Sequence, residues 1–179
     1  MKLRSIGTGL FLVSVVFVIS CRTEKSADSE PHDQVRSAVS RIPGWVEQKD
    51  KYCSFKPDEL YGIIDGGATE YIEQGLKSGI GIACTSGTKT LGMYFEDFGT
   101  ELKAQGMVEA KKASLSEPQA IPNVTLSPAL YGEVIGGCIA CWAKDRYYIE
   151  MTLTGYDSVG IALKDAGIFI DSISRVIGK

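Results

Sequence analysis

The chain has 179 residues, with 19 Lys+Arg against 22 Asp+Glu and a formal charge of −3. That length makes one domain, large enough to bury about two-thirds of its unfolded surface without a metal or disulfide scaffold. The acidic balance and the lack of a Lys/Arg run argue against nucleic acid as a partner, and against adhesion to anionic lipid by charge.

Lys2 and Arg4 make a short positive start, and Leu10 to Ile19 is apolar except for Ser14. About ten apolar residues are half of what a spanning helix needs. They fit the core of an export signal. Val18-Ile19-Ser20-Cys21 follows, and this run resembles the bacterial lipobox. The resemblance implies that residues 1–20 are a signal peptide, cut off before Cys21, and that the Cys21 thiol carries a diacylglyceryl group. Two or three acyl chains then anchor the protein to a membrane, since each buried CH₂ contributes about 0.8 kcal/mol. Gram-negative relatives kept in the inner membrane usually have aspartate after the cysteine. Arg22 stands there instead, which points to the outer membrane, on its periplasmic or surface face.

Residues 21–41 carry few large apolar side chains and read as a flexible, solvated tether. His32, the sole histidine, lies in it and reads as solvated. The domain is expected over 42–179, starting near Ile42-Pro43-Gly44-Trp45, with an edge strand from Trp45 to Tyr52. Pro57-Asp58-Glu59 opens a helix, with proline in the first turn and acids near the positive dipole end. Its stripe runs through Leu60, Ile63, Ile64, Gly67, Ala68, Tyr71 and Ile72, and Gly75 ends it.

Ile80, Ile82 and Cys84 alternate, Ser86-Gly87-Thr88 turns the chain, and Leu91, Met93 and Phe95 alternate again. Residues 100–113 read as a helix. Residues 114–125, with Pro118 and Pro122, read as a loop. One strand is expected from Ala129 to Trp142, a turn at Lys144-Asp145, and a return strand from Arg146 to Thr154. A two-residue turn sets Trp142 opposite Tyr147, Ala140 opposite Ile149 and Cys138 opposite Met151 on one buried face. Tyr148, Glu150 and Thr152 then point the other way. Asp157 or Ser158 caps a last helix, striped by Val159, Ala162, Leu163, Ala166, Phe169, Ile170, Ile173, Val176 and Ile177 and ended by Gly178. The order helix, hairpin, helix, hairpin, helix predicts an α+β fold, an antiparallel sheet of about four to five strands with helices packed on it.

Asp65-Gly66-Gly67-Ala68 interrupts a helical pattern with two glycines, each costing about 1 kcal/mol relative to alanine. Either close packing offsets that cost, or bare backbone admits a ligand among Tyr61, Asp65, Gly66, Gly67, Glu70 and Tyr71. No lysine-serine pair follows and the spacing matches neither nucleotide fingerprint, so no cofactor is expected. Leu60-Tyr61-Gly62-Ile63-Ile64-Asp65-Gly66-Gly67-Ala68-Thr69-Glu70-Tyr71, with Trp45 before it and Gly75 after, resembles the central motif of a bacterial domain-of-unknown-function family. Trp142-Ala143-Lys144-Asp145-Arg146-Tyr147-Tyr148 is similar to that family's second recurrent hairpin, which usually has glycine at the Asp145 position. The resemblance covers residues 43–177. It implies export and an α+β domain, and it carries no known activity.

Beyond Cys21 there are Cys53, Cys84, Cys138 and Cys141. An exported chain meets an oxidising compartment, so disulfides are open to it. Cys138-Ile139-Ala140-Cys141 has the spacing of a thiol oxidoreductase. That chemistry wants the first cysteine at a helix N-terminus, whereas here the pair falls in a strand and its members face opposite sides. Cys84 and Cys138 face inward, as buried thiols or as a bridge, and Cys53 and Cys141 could pair separately. No Ser-His-acid set exists outside the tether, and the acids lack the spacing of a metal loop. The expected function is therefore a non-enzymatic envelope lipoprotein that binds a protein or small ligand. The alternative is a thiol–disulfide oxidoreductase using Cys138 and Cys141.

Overall fold

The computed structural model describes residues 29–64, 67–126 and 128–177. Cys21, Asp65, Gly66 and Gly178 lie outside these. The order is α1 (Ser29–Ser40), β1 (Val46–Glu47), β2 (Cys53–Phe55), α2 (Ala68–Gln74), β3 (Ser78–Ser86), β4 (Lys89–Asp97), α3 (Glu101–Ser114), β5 (Gln119–Ala120), β6 (Ala129–Val134), β7 (Gly137–Lys144), β8 (Tyr147–Thr154) and α4 (Val159–Ser174). The eight strands form one antiparallel sheet in the order β1-β3-β4-β8-β7-β6-β5, with β2 also paired to β3.

The sheet is thus larger than the four or five strands expected from sequence. Part of the difference is the run from Ala129 to Lys144, which is a hairpin and not one strand. Gly136, at φ +80°, reverses it inside a stretch that looks uniformly apolar. The rest comes from β1, β2 and β5, which are two or three residues long. Alternation cannot be read over so few positions.

The β7–β8 turn is Asp145-Arg146, with Asp145 at φ +50°. Trp142 therefore pairs with Ile149, Ala140 with Met151 and Cys138 with Leu153. The slip from the expected register is two residues, which leaves every side chain on its expected face. The β3–β4 hairpin turns at Gly87-Thr88 and pairs Ile80 with Phe95, Ile82 with Met93 and Cys84 with Leu91.

Both faces of the sheet are covered, so the molecule has three layers. On the first face the strand side chains pack with Ala162, Ala166, Phe169, Ile170 and Ile173 of α4 and with Val35 and Val39 of α1. Helix α1 corrects the tether expected over 21–41 and moves the start of the domain back to Ser29. His32, Val35, Val39 and Ile42 form a stripe at helical spacing, all buried. Three apolar residues do not look like a core segment, yet they suffice against a ready-made sheet. His32 is 8% exposed and meets the Phe95 ring edge-on at 5.8 Å. Arg36 ties α1 to β1 through Glu47, at 2.7 Å, and lies over the Tyr52 ring.

On the second face α2 and α3 cover Cys53, Phe55, Leu130, Cys141, Ala143 and Tyr148. The long helix expected from Pro57 to Ile72 is two pieces, a 3-10 helix at Pro57–Gly62 and then α2. Glycines 62 and 67 flank the break, where helix propensity is lowest. Gly75 ends α2 at φ 93°, as expected.

Gly79 makes room for β2, because a Cβ there would run into the end of the buried Phe55 ring. Gly79→Ala is expected to lower unfolding free energy by about 1–3 kcal/mol, the usual range for overpacking. Urea denaturation measures it, and an unchanged midpoint would mean Phe55 moves aside freely.

Candidate functional site

A cavity of about 180 Å³ opens on the second face, between α2, α3 and the sheet. Gly67, Glu70 and Tyr71 reach it from α2, spaced three and four apart on one helix side. Met107, Lys111 and Ser114 reach it from α3 at the same kind of spacing. The sheet contributes Tyr94 and Glu150, and Ile64 closes one side.

The sheet floor follows from a short repeated pattern. Tyr94-Phe95-Glu96 on β4 and Tyr148-Ile149-Glu150 on β8 share the spacing Tyr-x-Glu. The antiparallel register sets Tyr94 opposite Glu150 and Glu96 opposite Tyr148. Strand alternation turns all four toward α2 and α3.

Glu150 is the hub. Its Oε1 accepts from Lys111 Nζ at 2.8 Å, and its Oε2 accepts from Tyr148 Oη at 2.7 Å and Tyr71 Oη at 3.2 Å. Burial pushes the Tyr71 and Tyr148 phenols well above their ordinary range, and the Glu150 charge adds to it. Both therefore remain donors. Glu96 differs. It is fully buried, and among the described residues neither carboxyl oxygen has a hydrogen-bond partner. Burial holds its carboxyl well above the usual carboxylate range, the Glu150 charge raises it further, and Lys111 opposes both. Burial and the Glu150 charge thus both favour the uncharged form of Glu96, beside the Lys111–Glu150 ion pair. A buried carboxyl without a partner among the described residues calls for an explanation.

Of the residues singled out from sequence, Gly67, Glu70 and Tyr71 line this cavity. Tyr61 does not line it. It is 62% exposed, with its hydroxyl 3.5 Å from Thr69 Oγ1. Asp65 and Gly66 lie outside the described residues. Among the described residues a Cβ on Gly67 would meet only Ile64 Cγ2, at 3.2 Å. Gly67 also precedes α2 at φ −98°. Tight packing against another element is therefore not what keeps it small. Sequence reading missed Lys111, Tyr94, Glu96, Tyr148 and Glu150 as site residues. The Tyr-x-Glu pair is the available signal, but it lies on the face opposite the one read as buried.

The four described cysteines are all buried. In the row Cys53, Gly81, Tyr94, Glu150, Cys141, the two end residues are four strand spacings apart, about 19 Å at the usual interstrand distance. Cys84 and Cys138 are three spacings apart on the first face, about 14 Å. Neither proposed pair can bond, since a disulfide needs its Cα atoms within about 7 Å. Cys138 and Cys141 do face opposite sides of β7, in the first-face and second-face cores. Burial pushes Cys138 up to about 11 and Cys141 up to about 12, helped by Glu133 and Glu150 respectively. Cys84 rises to about 12 by burial, with a contribution from Glu47. Raised thiols are poor nucleophiles, which opposes the oxidoreductase alternative. All four cysteines are expected to resist iodoacetamide at neutral pH in the folded protein and to react once it is unfolded, as mass spectrometry would record. Rapid labelling of Cys138 or Cys141 in the native state would reopen the redox reading.

Among the described residues no three His, Cys, Asp or Glu side chains group as metal ligands. Among the same residues no helix is long and apolar enough to cross a membrane.

No family model matches the chain, and no curated protein does. A solved structure is similar: the crystal structure of the extracellular domain of PknH from Mycobacterium tuberculosis. The TM-score is 0.51 at 11% identity, over 80% of this chain and 91% of that one. At that identity the likeness is one of fold. The chain is thus built like a domain that another protein displays outside the cell.

Proposed function

We propose that this chain is an envelope lipoprotein, anchored through an acylated Cys21, whose domain binds a small ligand in the cavity under Gly67. One observation carries the ligand-binding part. The cavity sits on a buried polar floor whose hub, Glu150, takes three donors, while the neighbouring Glu96 takes none among the described residues. Folding alone does not favour an unsatisfied buried carboxyl, which costs about 1–3 kcal/mol. Ligand sites combine apolar walls with a few convergent polar groups, and Ile64, Met107 and Tyr94 supply such walls here. The export signal, the lipobox resemblance, the likeness to an exported family and the extracellular neighbour all support the envelope.

The small-molecule fraction of an envelope extract is expected to raise the Tm of the wild type. It should leave Gly67→Leu unshifted. That variant keeps an ordinary backbone conformation and adds bulk to the cavity lining, where among the described residues its Cβ meets Ile64. Equal shifts in both proteins, or none in either, would remove the cavity as a binding site. Labelled fatty acid tests the anchor in the same strain, since it should enter the wild type and not Cys21→Ser.

A further inference from the structure

Helix α4 carries a second pattern on the side turned away from the sheet. Its exposed side chains there are Ile161, Lys164, Ile168 and Asp171, with Arg175 at the helix end. The spacing of 3, 4, 3 and 4 residues keeps them in one stripe, as in the seam of a coiled coil. The stripe runs along a helix of 16 residues, about 24 Å long. Ile161 is 38% exposed and Ile168 is 46% exposed. Among the described residues Lys164, Asp171 and Arg175 form no ion pair. Gly160 and Gly167 flank the stripe, and among the described residues a Cβ on either would meet nothing within 4 Å. Packing inside the chain therefore does not require these glycines, although each weakens the helix relative to alanine.

We propose that this outer face of α4 is where two copies of the chain meet, as an antiparallel helix pair about a two-fold axis. The occupant follows from charge, because the stripe complements itself when reversed. An axis between residues 167 and 168 sets Lys164 opposite Asp171 of the second copy, and Asp171 opposite its Lys164. Each pair occurs twice, as in any two-fold interface. The same axis sets Ile168 opposite Gly167, whose bare backbone gives the isoleucine a seat. Residues 22–28 hold no large apolar side chain with which the chain could cover the two isoleucines itself. A bilayer suits the isoleucines but not the Lys164 and Asp171 charges in the same stripe. Anchoring through Cys21, as proposed above, would hold the copies in one membrane and raise their effective concentration, so a small interface serves. Helix α4 covers the first face and the cavity lies on the second, so either reading can fail without the other.

Cross-linking of full-length Ile168→Cys in its own envelope with a short bis-maleimide tests this. Position 168 lies beside the axis, so a product of twice the chain mass is expected, and the unchanged chain should not give it. Leu102→Cys, at a residue 80% exposed on α3, should not give it either. Lys164→Glu, added to Ile168→Cys, sets like charges against each other and should cut the yield about tenfold. Adding Asp171→Lys to that variant should restore the yield, because the swapped charges again face their opposites. These substitutions all fall on exposed positions, so the fold is expected to persist. Absence of the doubled product overturns the proposal. So does a product with the mass of this chain plus a different protein, or a double charge swap that cross-links as poorly as Lys164→Glu alone.

Discussion

Glu150→Ala is expected to destabilise the domain by about 3–5 kcal/mol, the range for removing one partner of a buried ion pair. Three groups lose their acceptor together. The Lys111 ammonium, whose side chain is 20% exposed, is left without its carboxylate. The Tyr71 and Tyr148 hydroxyls are left without an acceptor inside the second-face core. For a domain of this size the loss is about 10 °C in Tm. Glu150→Gln should recover part of it, because an amide oxygen still accepts from the phenols while Lys111 stays unpaired. Thermal unfolding followed by circular dichroism measures both. A Glu150→Ala variant within a degree or two of wild type would mean that the polar floor does not hold together as described.

Two residues away in register, the opposite sign is expected. Glu96→Met should stabilise the protein by about 1–2 kcal/mol at neutral pH, because it removes a buried carboxyl without partners and keeps its length. The pH dependence gives a second check. The folded-state value of Glu96 is raised, so the folded protein binds its proton more tightly than the unfolded chain does. The stability this group supplies is present below its unfolded value and is lost as pH rises through the folded one. The advantage of Glu96→Met should therefore be small in acid and grow toward alkaline pH. A variant less stable than wild type at every pH would show that Glu96 makes a stabilising contact in the folded protein. Since Glu96 and Glu150 interact, the double variant should depart from the sum of the single ones.

Much of the fold was legible because periodicity reports which side of an element is buried. The stripe of α4, the alternation of β3 and β4, and the face parity of Cys138, Ala140 and Trp142 all come from that rule. What stayed hidden has three physical causes. Strands of two residues, such as β1 and β5, are set by their neighbours and not by their own pattern. Val134 and Ile135 keep the apolar run going through the β6–β7 turn, although Ile135 is 92% exposed. Helix α1 draws its stability from the sheet it covers, so its own composition says little. The candidate site was half visible. The glycine run pointed to Gly67, Glu70 and Tyr71, which share one local segment. Lys111 and Glu150 lie far along the chain and join them only because α3 crosses β7 and β8. Alternation on β4 and β8 tells one face from the other, and only the second helical layer, α2 and α3, turns the more polar face into a buried floor.

Glu96 is expected to hold its proton in the folded protein, since burial and the Glu150 charge both raise its carboxyl. Carbon-13 NMR of the glutamate side-chain carboxyls observes it directly. At neutral pH the Glu96 carbon should resonate as a protonated acid and move to the carboxylate position only well above the pH at which exposed glutamates titrate. A Glu96 signal already at the carboxylate position at neutral pH, and titrating like an exposed glutamate, would show that the floor of the cavity does not bury this carboxyl as described.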